Sequence, residues 1–181
     1  MGNLKILQCI TVLLVWLFSG KIALSQTLEE HAKQCHASEI PNHNRTLVID
    51  DEYLEMMFDE YFSWSKISKK YAIQSETVVT SRHDANYKAN VIKLGAAVDK
   101  FVFWSNQKKR FPLCFNVSSD ELNSERLKLI GQPKKGFMQK YKLSKDVDEL
   151  EINSVEGFIY ILITFKNNRV FSAQYIARYY G

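Results

Sequence analysis

The stretch from 155 to 180 constrains the fold most: VEGFIYILITFK, then Asn167-Asn168, then RVFSAQYIARYY. Two β-rich runs around an Asn-Asn step read as a hairpin, because Asn tolerates the positive φ that a type I′ turn requires. A plain two-residue connection sets Phe165 opposite Val170, Ile163 opposite Ser172 and Ile161 opposite Gln174. Side chains alternate between faces, so one face carries Ile159, Ile161, Ile163, Phe165, Val170 and Ile176. The other carries Phe158, Tyr160, Leu162, Phe171, Ala173, Tyr175, Ala177 and Tyr179. Neither face is polar. A hairpin apolar on both sides must be covered on both sides, so the rest of the chain is expected to wrap around it.

The N-terminal segment has a different character. Lys5 precedes an apolar run from Ile6 to Phe18, followed by Gly20 and the small-residue step Ala23-Leu24-Ser25. This is the pattern of a secretory signal peptide spanning 1–25, and the apolar run is shorter than the roughly 20 residues a membrane span needs. The mature chain, 26–181, is then expected to be one secreted domain, with no membrane segment after cleavage. Loss of Lys5 and Lys21 lowers the formal charge from +4 to +2. So balanced a charge does not call for nucleic acid or an anionic membrane as partner.

Cys9 leaves with the signal peptide, so Cys35 and Cys114 remain and are expected to join, as a pair of cysteines in a secreted chain usually does. Closing a loop of about 80 residues would stabilise by about 4–5 kcal/mol in the loop-entropy account. The sequons Asn44-Arg45-Thr46 and Asn116-Val117-Ser118 make Asn44 and Asn116 candidate glycosylation sites, both then at the surface.

In chain order, 26–38 reads as a short helix or irregular arm, and 39–45, with Pro41, as a loop. Asp50 or Asp51 caps the clearest helix, whose stripe runs through Leu54, Met57, Phe58, Tyr61 and Trp64 or Ser65. Its acids (Glu52, Glu55, Asp59, Glu60) come early and its lysines (Lys66, Lys69, Lys70) late, complementing the helix dipole. That charge sorting accounts for the acids without a metal site. Residues 77–80 suggest a strand. Val91, Leu94, Val98, Phe101 and Val102 suggest a helix over 85–100, which Gly95 weakens by about 1 kcal/mol and which passes into the β-rich 100–104. Beyond a loop at 106–110, the pattern predicts a strand at 111–117 and a helix at 121–130 ended by Gly131 and Pro133. Two further strands are expected at 137–143 and 147–152.

Helices followed by antiparallel strands make an α+β fold, with N-terminal helices packed on a curved, mostly antiparallel sheet. The ending Ile163-Thr-Phe-Lys-Asn-Asn-Arg-Val-Phe-Ser-Ala-Gln-Tyr175 resembles the last hairpin of the NTF2-like superfamily, whose members often end in a strand, a tight turn and an aromatic strand. The N-terminal helices fit the element order of that cone-shaped fold. The turn lacks the Asp-Gly usual there, and a helix at 85–100 has no place in it, so a cystatin-like or lipocalin-like arrangement stays open. The resemblance implies a fold and no single activity, because NTF2-like folds host enzymes, binding proteins and assembly modules.

Four groups of residues could carry chemistry. His31, Cys35, His36 and His43 are zinc-ligand types in close sequence, but Cys35 has a better use in a disulfide, so no metal is assigned. His83-Asp84 could supply a base and its orienting carboxylate, with Ser81 nearby, yet no nucleophile motif accompanies them. Asp84 also suits a helix cap. Tyr160, Tyr175, Phe158 and Phe171 could line a cavity in a cone-shaped sheet, Tyr adding a polar tip to apolar bulk; the alternative is ordinary core. Lys108-Lys109-Arg110, Lys134-Lys135, Lys140, Lys142 and Lys145 form a basic middle third, either a solvated surface or a polyanion contact. Phe111 and Phe137 beside them do not make a stacking platform for nucleic acid.

These readings favour a secreted, non-catalytic protein that binds a small apolar ligand in the sheet concavity, or another extracellular protein, without a cofactor. An NTF2-like enzyme transferring protons through His83 or Asp84 is the first alternative. An interaction protein with a basic, polyanion-contacting surface is the second.

Overall fold

The computed structural model describes residues 44–80, 88–105, 110–144 and 146–176. The described residues begin with strand β1 (Arg45–Ile49), followed by helix α1 (Asp51–Met56), which loosens into a π-helical turn (Met57–Tyr61), and by α2 (Trp64–Lys70). Four strands come next: β2 (Ile73–Thr80), β3 (Lys88–Gly95), β4 (Lys100–Ser105) and β5 (Arg110–Val117). After α3 (Lys134–Lys140) come β6 (Glu149–Asn153), β7 (Tyr160–Lys166) and β8 (Arg169–Ile176). The fold is mixed α+β. Among the described residues the helices are not gathered ahead of the sheet: β1 precedes α1, and α3 lies between β5 and β6.

Among the described residues, eight strands form one sheet in the order β1-β6-β7-β8-β5-β4-β3-β2. Every pairing is antiparallel except β1 on β6, which is parallel. The last hairpin therefore sits inside the sheet, with β6 along one edge and β5 along the other.

Local chemistry explains where the first helices begin and end. The Tyr53 N–H donates to Asp50 Oδ1 at 2.9 Å, an N-cap bond, with Asp51 and Glu52 in the first turn. Lys69 and Lys70 occupy the last turn of α2. The expected stripe is present in Leu54, Met57 and Tyr61, all buried, but the helix breaks at Phe62-Ser63 instead of running through. The break turns Phe62 inward, stacked on Phe115 with ring centroids 3.7 Å apart. Trp64 meets Phe103 edge-on at 5.1 Å, and Phe58 meets Tyr175 at 4.7 Å. One face of the sheet and the helices thus share a single core, with aromatic pairs interlocked across it. A smaller cluster, Val79, Val91, Val102, Leu113 and Cys114, forms around β2 to β5.

Three expectations fail for identifiable reasons. From residue 88 on, the helix expected over 85–100 is replaced by β3 and β4, joined through a turn in which Ala96 N–H donates to Asp99 C=O at 3.0 Å. Ile92 and Leu94 face the main core while Val91 and Val102 face the smaller cluster, so apolar residues at both parities mimicked a helical stripe. The helix at 121–130 does not form, because Asn123 competes for the backbone. Its Oδ1 accepts from Leu129 N–H at 2.9 Å, and its Nδ2 donates to Ile130 C=O at 2.8 Å. The strand at 137–143 is instead largely covered by α3, in which Lys134 and Phe137 are buried at helical spacing.

Candidate functional site

The last hairpin turns as expected: Asn167 and Asn168 have φ of 52° and 59°. Its register departs from the plain one. Phe165 pairs with Val170, but Thr164 then pairs with Ser172, leaving Phe171 as the extra residue of a β-bulge. Beyond the bulge Ile163 faces Ala173 and Ile161 faces Tyr175, so Ala173 and Tyr175 cross to the helix side. The expected facing of Ile163 with Ser172 and of Ile161 with Gln174 is thereby corrected.

The bulge separates the four residues expected around a ligand. Tyr175 is buried, its ring 5.1 Å from that of Phe115, with its hydroxyl donating to Pro112 C=O at 3.5 Å. Tyr160, half-buried at the start of β7, pairs with Asn153 on the opposite face. Phe158 lies in the turn before β7, 47% exposed. Phe171 is 48% exposed at the bulge, with Lys166 Nζ 5.2 Å from its ring centroid. The structure does not bring these four together.

It brings together a different set at the β1 edge. Alternation along β1 leaves Leu47 and Ile49 more than half exposed. In register, Ile49 sits beside Asn153, which sits beside Tyr160. The connection between β6 and β7 folds back through Ser154 N–H donating to Ile159 C=O at 2.9 Å. It is tied to α1 by Val155 N–H donating to the Asp51 carboxylate at 3.2 Å. Val155, Phe158 and Ile159 stand exposed in that connection. Five large apolar side chains thus meet solvent at one corner of the sheet.

Beside this corner runs a polar ladder on β1 and β6. Arg45 Nε donates to Glu149 Oε2 at 2.9 Å and Nη1 to Glu151 Oε2 at 3.3 Å. Asn153 Nδ2 donates to Glu151 Oε1 at 3.1 Å, while Asn153 Oδ1 is buried and meets no donor among the described residues. Both glutamates are buried. Burial alone would lower the Arg45 pKa, but the two carboxylates outweigh it and raise it. The ladder clamps the short parallel edge strand in register, and removing Arg45 would leave two carboxylates without this partner. In sequence, the alternation of Glu149-Leu-Glu-Ile-Asn153 marks a strand. Nothing there announces that Arg45, far up the chain, answers its acids.

Two carboxylates elsewhere, Asp99 and Asp50, have pKa values held below the ordinary range. Asp99, fully buried, accepts from the Tyr71 hydroxyl, the Ser119 hydroxyl and the Ser118 and Ser119 N–H groups. Asp50 accepts from Tyr141 at 2.9 Å and pairs with Lys140 at 2.7 Å besides capping α1. Both are held by structural donors, and each ties loops or helices together.

Of the remaining expected sites, Asn44 is exposed and its Nδ2 donates to Asp146 C=O, while Asn116 is half-buried on β5 between β4 and β8. Cys114 is buried on β5. Cys35, His31, His36, His43, Ser81, His83 and Asp84 lie outside the described residues. Among the described residues no three His, Cys, Asp or Glu are grouped to hold a metal ion, and no helix is long and apolar enough to cross a membrane. No family model, curated protein or solved structure matches the chain.

Proposed function

We propose that the mature chain, 26–181, is a secreted, non-catalytic binding protein whose binding surface is the apolar corner at β1 and the β6–β7 connection. The observation that carries this reading is the exposure of Leu47, Ile49, Val155 and Phe158 together beside a clamped edge strand. Scattered apolar residues on a surface are ordinary, but several at one corner mark an interaction site. The occupant is an apolar segment of an extracellular protein. An edge strand adds backbone groups on which such a segment can align. Of the residues first expected to bind, Phe158 belongs to this surface and Tyr160 borders it. Tyr175, packed between Phe58 and Phe115, serves the core.

In the same reading 1–25 is removed on secretion, Cys35 is joined to Cys114, Asn44 and Asn116 carry glycans, and the sheet curves about the helices as in a cone-shaped fold. A glycan at Asn44 is supported by its exposure. A small apolar ligand is the second form of the reading, favoured by the half-buried Tyr160 beside the unmatched Asn153 Oδ1.

Native mass spectrometry of the protein secreted from eukaryotic cells tests the reading. A second polypeptide lost on denaturation supports the partner form, and a small-molecule mass lost on denaturation supports the ligand form. A bare monomer under every condition would count against both.

A further inference from the structure

The fold regroups basic residues that are far apart in sequence. Residues 131–134 run beside the start of β8. Gly131 N–H donates to Val170 C=O, Val170 N–H to Gln132 C=O and Lys134 N–H to Asn168 C=O, each at 2.9 Å. A bridge between Pro133 and Arg169 completes the pairing, and Arg169 Nη1 donates to Gly131 C=O at 2.8 Å. These bonds set the start of α3 against the Asn167-Asn168 turn, so Lys135 joins Lys166 and Arg169 at the hairpin tip, all three exposed. Lys134 is different: it is buried, with Nζ 2.5 Å from Asp146 and 5.4 Å from the Phe165 ring centroid, and it fastens α3 to the sheet. Asp148 borders the hairpin on its other flank, where Phe165 N–H donates to its C=O at 2.9 Å.

We propose that this tip, through Lys135, Lys166 and Arg169, is a contact surface for a sulfated polysaccharide. Three cations come from three segments that backbone bonds set side by side, and Lys134 pairs with Asp146, the exposed acid near them. A flexible chain with anionic groups at intervals can meet them without a pocket. The Arg169 fork, anchored by one nitrogen, keeps other N–H groups for sulfate oxygens. Phe171, the exposed ring at this site, lies under Lys166, so the tip offers charge and no platform of stacked bases. The surface is distinct from the apolar corner and does not depend on it.

The test is titration of the secreted protein with heparin at about 0.15 M salt, where long-range attraction between exposed charges is largely screened. Wild type binds, and Lys135→Gln with Lys166→Gln weakens binding at least about tenfold. Lys69→Gln with Lys70→Gln, an equal loss of charge on α2, leaves it unchanged. Absence of wild-type binding at this salt, or equal weakening by both double variants, would overturn the proposal. So would equal affinity for desulfated heparin, or tighter binding of single-stranded DNA through the same residues. A Leu47→Asp and Phe158→Asp variant retains heparin binding, which keeps this outcome separate from that of the apolar corner.

Discussion

The Tyr71 hydroxyl donates to the Asp99 carboxylate at 2.5 Å, joining the end of α2 to the turn between β3 and β4. Asp99 is fully buried and accepts three more hydrogen bonds from Ser118 and Ser119, after β5. One carboxylate thus holds three segments. Tyr71→Phe removes one donor to a charged acceptor and is expected to cost about 1.5–3 kcal/mol in denaturant unfolding. Asp99→Ala strips partners from four donors at once and should cost more.

The same group makes stability depend on pH. Burial by itself would raise the Asp99 pKa, but donation from Ser119, Tyr71 and the two backbone N–H groups holds it below the ordinary 3.8. Asp50 is lowered as well: burial opposes, while Lys140, Tyr53 N–H and Tyr141 prevail. A carboxylate with a depressed folded pKa binds its proton more weakly when folded. Its stabilisation is complete above the unfolded value and is lost as pH falls from there through the folded pKa. The melting temperature should therefore drop on acidification through 3.8 and below, and Asp99→Asn should flatten the drop. An Asn variant with an unchanged slope would remove Asp99 from this account.

Gly95 ends β3 where a Cβ would run into the Asp99 carbonyl oxygen, a backbone atom already engaged by Ala96 N–H. Gly95→Ala is expected to destabilise by about 1–3 kcal/mol through overpacking, read as a lower denaturation midpoint.

At the hairpin turn, Asn168 has φ of 59°, a region that costs an ordinary residue about 1–2 kcal/mol. Asn168→Val should lower stability by that amount, whereas Asn168→Gly should keep or raise it. Thermal melts of the two variants distinguish the expected order from its reverse.

How much of this was legible in the sequence varies with the segment. The Asn-Asn turn, the two-sided apolarity of its strands and the cap at Asp50 were readable, because each rests on residues adjacent in sequence. The bulge at Phe171 was not. It inserts one unpaired residue that no neighbour in sequence marks, and it moves Tyr175 into the core. The region of β3 and β4 misled because strands covered on both faces carry apolar residues at every parity. The 121–130 segment misled because the side chain of Asn123 takes over backbone partners that a helix would use. The apolar corner was invisible for a related reason: Ile49 comes beside Asn153, where the β6–β7 connection begins, only when β1 docks on β6, through a parallel pairing clamped by Arg45, Glu149 and Glu151.

The central claim is that the corner at β1, and not the tyrosines of the hairpin, does the binding. The most direct measurement is the bound fraction seen by native mass spectrometry for Leu47→Asp with Phe158→Asp beside Tyr175→Phe, each secreted from the same cells as wild type. The account predicts that the double variant loses its partner at an unchanged melting temperature while Tyr175→Phe keeps it. Retention of the partner by the double variant, with loss in Tyr175→Phe, would contradict it.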